Sequence, residues 1–293
     1  MDDPTRTFDG LRPRLQAIAY RMLGTRSEAE DVVQDAWLRW HAADTAALAS
    51  AEAWLVTVTT RLAIDRLRAA KAQREQYTGT WLPEPEVVDS PQTPEQLLEQ
   101  ADQVTFAFLA LLERLLPEAR AAFLLREVFD VDYDEVAQAL GKSEAACRQL
   151  VSRARVQLRD ARPRHAVPHE TQQRLLRGFA EAASRGDVQA LKALLADEAE
   201  LIGDGGGKVP SFGRPLVGAQ RIAQLYWAAH LRHGAGVSLR LAWVNDQWGL
   251  LRFIDGVLES VQSFELDGDR IVRIHAQRNP DKLARIAAAV TSG

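Results

Sequence analysis

Residues 133–159 read YDEVAQALGKSEAACRQLVSRARVQLR. Val136, Ala137 and Leu140 fall on one face of a short helix, Tyr133–Leu140. Gly141 stops it, because glycine takes the left-handed conformation that a tight C-cap needs. Ser143 follows as an N-cap, with Glu144 in the first turn of the next helix. That helix, Glu144–Arg159, carries Ala146, Cys147, Leu150, Val151, Ala154 and Leu158 at helical spacing. Its other face holds Arg148, Gln149, Ser152, Arg153 and Arg155. Two helices, a glycine-centred turn and a second helix rich in base-reading side chains make a helix-turn-helix. A surface helical hairpin with a solvated basic face is the plainer reading of the same pattern.

The 293 residues of the chain are enough for two or three domains. The net charge of −4 argues against a general nucleic-acid coat protein, but the charge is uneven. Between residues 76 and 104 lie six acids (Glu84, Glu86, Asp89, Glu95, Glu99 and Asp102) and no Lys or Arg; between 141 and 165, seven Lys and Arg face only Glu144 and Asp160. A local positive patch counts for more than the total. The single cysteine, Cys147, excludes an intramolecular disulfide and a cysteine zinc site, and it reads as a small buried hydrophobe. The acidic, polar start MDDPTRTFDG is unlike a signal peptide, and no apolar run reaches membrane-span length. A soluble, cytoplasmic chain without metal or cofactor is expected.

Upstream, residues 8–73 read as helices. Leu11, Leu15, Ile18, Ala19, Met22 and Leu23 keep helical spacing up to Gly24. Ser27 is expected to cap the next helix, whose outer strip holds Asp31, Gln34, Asp35 and Leu38. A third helix joins Trp54, Thr57, Thr59 and Thr60 to the basic Arg61, Arg66, Arg68, Lys71 and Arg74. Aromatic faces that stack on bases beside cations that track phosphates suit melted DNA; a core tryptophan with a solvated basic end fits equally well. Residues 76–94, with four prolines, read as an extended acidic linker holding an unusual Trp81. Helical pattern resumes over 94–116. From residue 171 the character changes to helices, then a strand and a loop DGGGKVPSFGRPLVG, a further helix and four strands with turns at Asn245–Asp246, Asp255–Gly256 and Asp267–Gly268. This is an α+β domain.

The ordered set is similar to one family. AEDVVQDAWLRW (29–40), a tryptophan-bearing basic helix, an acidic Pro-rich linker and a closing helix-turn-helix resemble a bacterial sigma factor of the extracytoplasmic-function type. The remainder resembles a SnoaL-like domain of the NTF2-like superfamily. WLPEP (81–85), DGGGK (204–208) and NPDKL (279–283) are similar to motifs of the SigJ-like group. The resemblance implies two all-α modules, sigma domain 2 at 1–75 and sigma domain 4 at 105–165. A linker at 76–104 joins them, and a cone-shaped α+β SnoaL-like regulatory domain follows at 166–293. It implies core RNA polymerase as partner, through the largest-subunit clamp helices and the beta-subunit flap, together with promoter DNA.

Carried onto this sequence, the resemblance gives Asp31, Gln34, Asp35, Trp37 and Leu38 to polymerase binding. Trp54, Arg61, Arg66 and Arg68 go to the −10 element, and the alanine-rich loop at 44–52 is where a flipped base would be captured. At the −35 element Ser143, Arg148, Gln149 and Ser152 are the candidate base readers, while Lys142, Arg153 and Arg155 suit phosphate. Regulatory contacts are expected at Trp81, Asp204, Gly205, Gly206, Gly207, Lys208, Asn279, Pro280 and Asp281. The function implied is promoter-specific transcription initiation, regulated in cis by the C-terminal domain, with a small ligand in its pocket. That ligand would sit among Tyr226, Trp227, His230, Trp243, Trp248, Phe253 and His275.

Two other readings stay open. One is a SnoaL-like isomerase or hydrolase fused to a DNA-binding module, with Asp204 and His230 or His275 as an acid–base pair. The other is a helix-turn-helix repressor with a ligand pocket. A repressor needs a dimer on a palindromic site and gives no role to the acidic strip or the linker. The sigma reading needs no catalytic residue.

Overall fold

The computed structural model describes residues 4–75, 77, 79–88, 105–159 and 167–291. The acidic half of the linker beyond Val88, the helical pattern expected over 94–104 and the boundary expected near 162–166 lie outside the described residues. The chain forms two compact units, residues 1–76 with 109–162 and residues 77–108 with 163–293.

The first unit is helical. α1 (Pro4–Leu23), α2 (Arg26–Ala42) and α3 (Ala51–Glu75) pack around Leu15, Ile18, Met22, Val32, Ala36, Leu55 and Ala63, all buried at the three- and four-residue spacing of helix faces. Gly24, at φ 73°, ends α1 by donating its N–H to the carbonyl of Tyr20 at 2.8 Å. The cap of α2 is Thr25 and not Ser27: Thr25 is extended at φ −133°, and its hydroxyl bonds the Glu28 side chain. Ser27 lies inside the first turn because the chain re-enters the helix directly after Gly24.

α4 (Phe106–Leu112), α5 (Pro117–Glu127), α6 (Tyr133–Leu140) and α7 (Glu144–Arg159) follow. Pro117 opens α5 at the one place where a missing N–H costs nothing. Gly141 sits at φ 62° and ψ 38°, and Lys142 donates its N–H back to Ala137 at 3.0 Å. Ser143 Oγ then accepts the N–H of Ala146 at 3.3 Å, so the turn is capped on both sides as its residues dictate. Arg120, its side chain 3 % exposed, joins the two helical modules: its guanidinium bonds the carbonyl of Met22 and the carboxylate of Glu113, each at 2.6 Å.

The second unit places α8 (His169–Arg185), α9 (Val188–Leu194) and α10 (Ala219–His233) against a seven-stranded sheet. Its strands are β1 (Val87–Val88), β2 (Leu195–Asp204), β3 (Leu216–Val217), β4 (Val237–Val244), β5 (Gln247–Ile254), β6 (Val257–Asp267) and β7 (Arg270–Gln277). The order is β1-β4-β5-β6-β7-β2-β3, antiparallel except for β2 beside β7. The β4–β7 meander turns on Asn245 and Asp246, and on Asp255 and Gly256, all at positive φ as two-residue hairpins require. Phe179, Tyr226 and Phe264 form an edge-on aromatic core.

Two elements of the fold differ from what the sequence pattern suggests. Residues 76–94 contain a regular element after all, since Val87 and Val88 pair with Val244 and Trp243. The chain also does not end in strand: Pro280–Thr291 is a helix, α11, with the Asn279 side chain accepting the N–H of Asp281 at 3.1 Å.

Candidate functional site

On α7, Cys147, Val151, Ala154 and Leu158 are buried, and Arg148, Gln149, Ser152, Arg153 and Arg155 are exposed. Burial pushes the Cys147 thiol up, as for an inert core cysteine. Two arginines of the exposed face are already oriented. Arg148 pairs with Glu144 at 2.7 Å and lies 4.8 Å above the Tyr133 ring; Arg155 forms a two-pronged bond to Glu127 at 2.7 and 2.8 Å.

The basic half of α3 lies in the same unit and turns toward α5–α7. Arg61 donates to the carbonyls of Gln138 at 2.7 Å and Ala139 at 2.9 Å, at the C-terminal end of α6, where a cation suits the helix dipole. Arg68 reaches Glu118 at 2.5 Å, and Lys142 reaches the other oxygen of the same carboxylate at 3.0 Å. The bond from Lys142, ahead of that from Arg68, holds the Glu118 carboxyl below its usual range. A residue assigned to the −10 element and one assigned to the −35 element thus share one anion. Trp54 is half-buried with its ring 5.6 Å from that of Trp40, so part of its face is spent on the core. Arg66 bridges Asp31 at 3.5 Å and Asp35 at 3.2 Å. On α2, Asp31, Gln34 and Leu38 are exposed, Leu38 at 59 %, while Trp37 is half-buried against Phe8 at 4.9 Å.

In the second unit the three sequence motifs converge. Asp204, at the end of β2 and fully buried, accepts from Lys282 Nζ at 2.7 Å, the Tyr77 hydroxyl at 2.6 Å and the backbone N–H of Leu82 at 2.9 Å. Lys282 also donates to the carbonyl of Leu82, and its ammonium stands 4.0 Å from the centre of the Trp81 ring. Gln277 donates to Leu82 O at 3.1 Å and Pro83 O at 2.9 Å. Asn279 donates to the Tyr77 hydroxyl at 2.9 Å. Burial first, then the bond to Asp204, pushes the Tyr77 phenol up, so it stays a donor.

The glycines of DGGGK serve close approach. A Cβ on Gly206, whose φ is 64°, would stand 2.5 Å from the Asn279 side chain, and one on Gly205 would stand 2.2 Å from Val209 O. Lys208 pairs with Asp281 at 2.6 Å. Tyr77, Gln277 and Lys282 complete this cluster and were missing from the expected set. Lys282 stands inside NPDKL, so the motif itself could have led to it.

The acid–histidine pair differs from the expected one. His275 Nε2 bonds Glu265 at 2.8 Å, not Asp204, because the register of β2 against β7 sets Ile202 beside His275 and Asp204 beside Gln277. Arg273 holds Glu265 at 2.9 Å and Glu200 at 2.8 Å. Burial pushes the Glu265 carboxyl up, but the bonds and charges of His275 and Arg273 outweigh it and hold it low. Of the aromatic and histidine residues expected around a pocket, Tyr226 lines a cavity of the unit, and Trp227, His230, Trp243, Trp248, Phe253 and His275 lie outside its lining; Trp243 instead packs edge-on to Trp248 at 5.5 Å.

The family model for sigma-70 region 2 matches residues 7–73, and that for sigma-70 region 4 matches residues 105–158. The chain is 37% identical to the ECF RNA polymerase sigma factor SigJ of Mycobacterium tuberculosis, over 94% of this chain and 91% of the relative. This chain belongs to the ECF RNA polymerase sigma factors. The probable ECF sigma factor SigI of the same organism is 31% identical over 96% of this sigma factor and 95% of its own length. The crystal structure of the M. tuberculosis SigJ superposes on 96% of this sigma factor and 98% of its own chain, with a TM-score of 0.76 and 33% identity. Both helical modules of the sigma factor and its α+β unit fall within that superposition. Among the described residues no helix is long and apolar enough to cross a membrane.

Proposed function

We propose that the C-terminal unit regulates this sigma factor in cis by gripping residues 77–88. Sigma factors bind core RNA polymerase and promoter DNA, and family membership brings that activity, which is exercised in the cytoplasm, to this chain. In our reading the α2 strip with Asp31, Gln34, Asp35, Trp37 and Leu38 meets the polymerase clamp helices, and the α5–α7 module meets the flap. α3 offers Trp54, Arg61, Arg66 and Arg68 to the −10 element. Ser143, Arg148, Gln149 and Ser152 on α7 read the −35 element while Lys142, Arg153 and Arg155 hold phosphate.

The observation that carries the regulatory reading is the buried Asp204. It holds the linker through Tyr77 and the Leu82 N–H while Lys282 neutralises it. A linker so held is not free to follow a path through polymerase. Two further features support a closed form: Arg61 and Arg68 of one DNA-binding module are bonded to the other module, and Lys142 shares the carboxylate of Glu118 with Arg68. Polymerase and promoter would compete for these groups and shift the balance toward an open form. The C-terminal unit acts here as a restraint that also takes a small ligand in its cavity, and nothing in its role asks for catalysis.

Run-off transcription with purified core polymerase and a promoter bearing −35 and −10 elements tests the sigma assignment. Transcript is expected from the full chain or from chains ending at residue 165 or 211. Its absence from all three would overturn the assignment. Equal output from the two truncations would remove the DGGGK loop from polymerase function.

A further inference from the structure

The second unit carries a cavity of about 390 Å³, open to solvent, between β2, β5, β6 and α10, apart from the Asp204 cluster. Leu201, Leu225, Ala228 and Ile254 give it apolar walls. Its charged lining is Arg232, Arg252 and Arg278 against a single carboxylate, Glu259, with His233 beside Arg232. That carboxylate is committed. Arg278 donates its Nε to Glu259 Oε1 at 2.6 Å. Arg252, its side chain 13 % exposed, stands 3.8 Å from Glu259 Oε2, which is beyond hydrogen-bond range. The Arg252 Nε and the Glu259 Oε2 are both buried without a hydrogen-bond partner. A buried guanidinium normally has its donors filled, and leaving one unmade is costly. The polar floor is completed by neutral groups: the Tyr226 hydroxyl donates to Gln262 at 2.9 Å, and Gln262 donates to Ser260 at 3.2 Å.

An excess of guanidinium charge at the floor of an apolar-walled cavity selects for one kind of molecule. We propose that this cavity binds a small organic anion with an apolar body, a carboxylate or its equivalent, whose charged end is held by Arg252 and whose body lies against Leu201, Leu225 and Ile254. A bare inorganic anion would leave the apolar walls uncovered, and an uncharged apolar molecule would leave Arg252 unsatisfied. The proposal rests on the reading of this cavity as a ligand site and names the class of ligand.

Fluorescence titration of the full-length protein tests it with two probes that share a body. 8-Anilinonaphthalene-1-sulfonate carries an anion, and N-phenyl-1-naphthylamine does not. The wild type is expected to bind the anionic probe about tenfold or more tightly than the neutral one, the worth of a charge-assisted hydrogen bond. Arg252→Gln should abolish that preference and leave the neutral probe's affinity unchanged. Glu259→Gln should strengthen the anionic probe, which separates a binding role from a structural one, since a merely structural pair would weaken binding in both variants. Leu225→Trp, filling the cavity, should remove both probes, with thermal melts confirming that each variant folds. Equal affinity for the two probes, or an anion preference that survives Arg252→Gln, overturns the proposed ligand class. No saturable binding of either probe, or binding that survives Leu225→Trp, overturns the ligand-site reading itself.

Discussion

Two sets of contacts in this chain look alike as lists of ion pairs and differ in what surrounds them. Between the helical modules, Arg68, Glu118 and Lys142 meet at the surface, with side chains 56 %, 35 % and 32 % exposed. Around Asp204, the carboxylate is fully buried and its Lys282 partner is 10 % exposed. Exposed pairs contribute little and are screened by salt. A buried pair is costly to break because the survivor stays charged in a poor solvent. Under the proposed function, the module contact is the one to be exchanged for phosphate, and the linker grip is the one to persist until something displaces it as a whole.

The largest difference between the two sets is expected at Asp204. Asp204→Ala leaves Lys282 buried without its counter-charge and should cost about 3–5 kcal/mol, read by denaturant unfolding. A loss of the size seen for surface pairs would make the two sets equivalent. Next in size is Glu265→Gln, which removes the charge facing Arg273 and His275 and should cost about 2–3 kcal/mol at neutral pH. The Glu265 carboxyl is held low in the folded state, so its contribution is full above the unfolded value near pH ~4.3 and is lost as pH falls through the folded value. Wild type and Glu265→Gln should accordingly converge in stability on acidification, and a gap unchanged down to pH ~3 would contradict that sign.

Tyr77→Phe deletes one hydroxyl that bonds Asp204 and Asn279, and about 1 kcal/mol of stability should go with it. Smallest is Glu118→Gln, expected to change stability by about 0–1 kcal/mol. It should nevertheless raise affinity for promoter DNA at low salt by releasing Arg68 and Lys142, with the gain shrinking as salt rises. Stronger destabilisation without a change in DNA binding would assign Glu118 to folding alone.

The helix-turn-helix was legible because each of its decisions is local. Gly141 and Ser143 act within four residues of themselves, and the buried stripe of α7 repeats at one period. Thr25 in place of Ser27 is an error of two residues where a threonine and a serine compete for one cap. The missed helix α11 also had a local signal, because Asn-Pro-Asp at 279–281 supplies a cap, a first-turn proline and an acid in order. It was hidden by the run of strands before it.

The partners of Asp204 could not be read from the sequence. Tyr77 and Leu82 lie more than 120 residues away from it, and Gln277 and Lys282 more than 70. Nothing in the spacing of a tyrosine and a glutamine announces a shared carboxylate. The two-residue strand Val87–Val88 escaped for the same reason, since only its pairing with β4 makes it a strand. The acid that faces His275 was misassigned because the register of β6 against β7, which sets Glu265 beside Arg273, includes a bulge that no local pattern marks.

In the proposed mechanism, holding the linker at Tyr77, Leu82 and Pro83 restrains the sigma factor. The direct measurement is run-off transcription by core polymerase with the wild-type chain and with a Lys282→Met, Asp204→Asn double variant. That pair of changes removes both buried charges together and so spares stability while weakening the bonds to Leu82. More promoter-directed transcript is expected from the variant at equal protein concentration. Equal transcript from the two chains, with the variant folded, would contradict it.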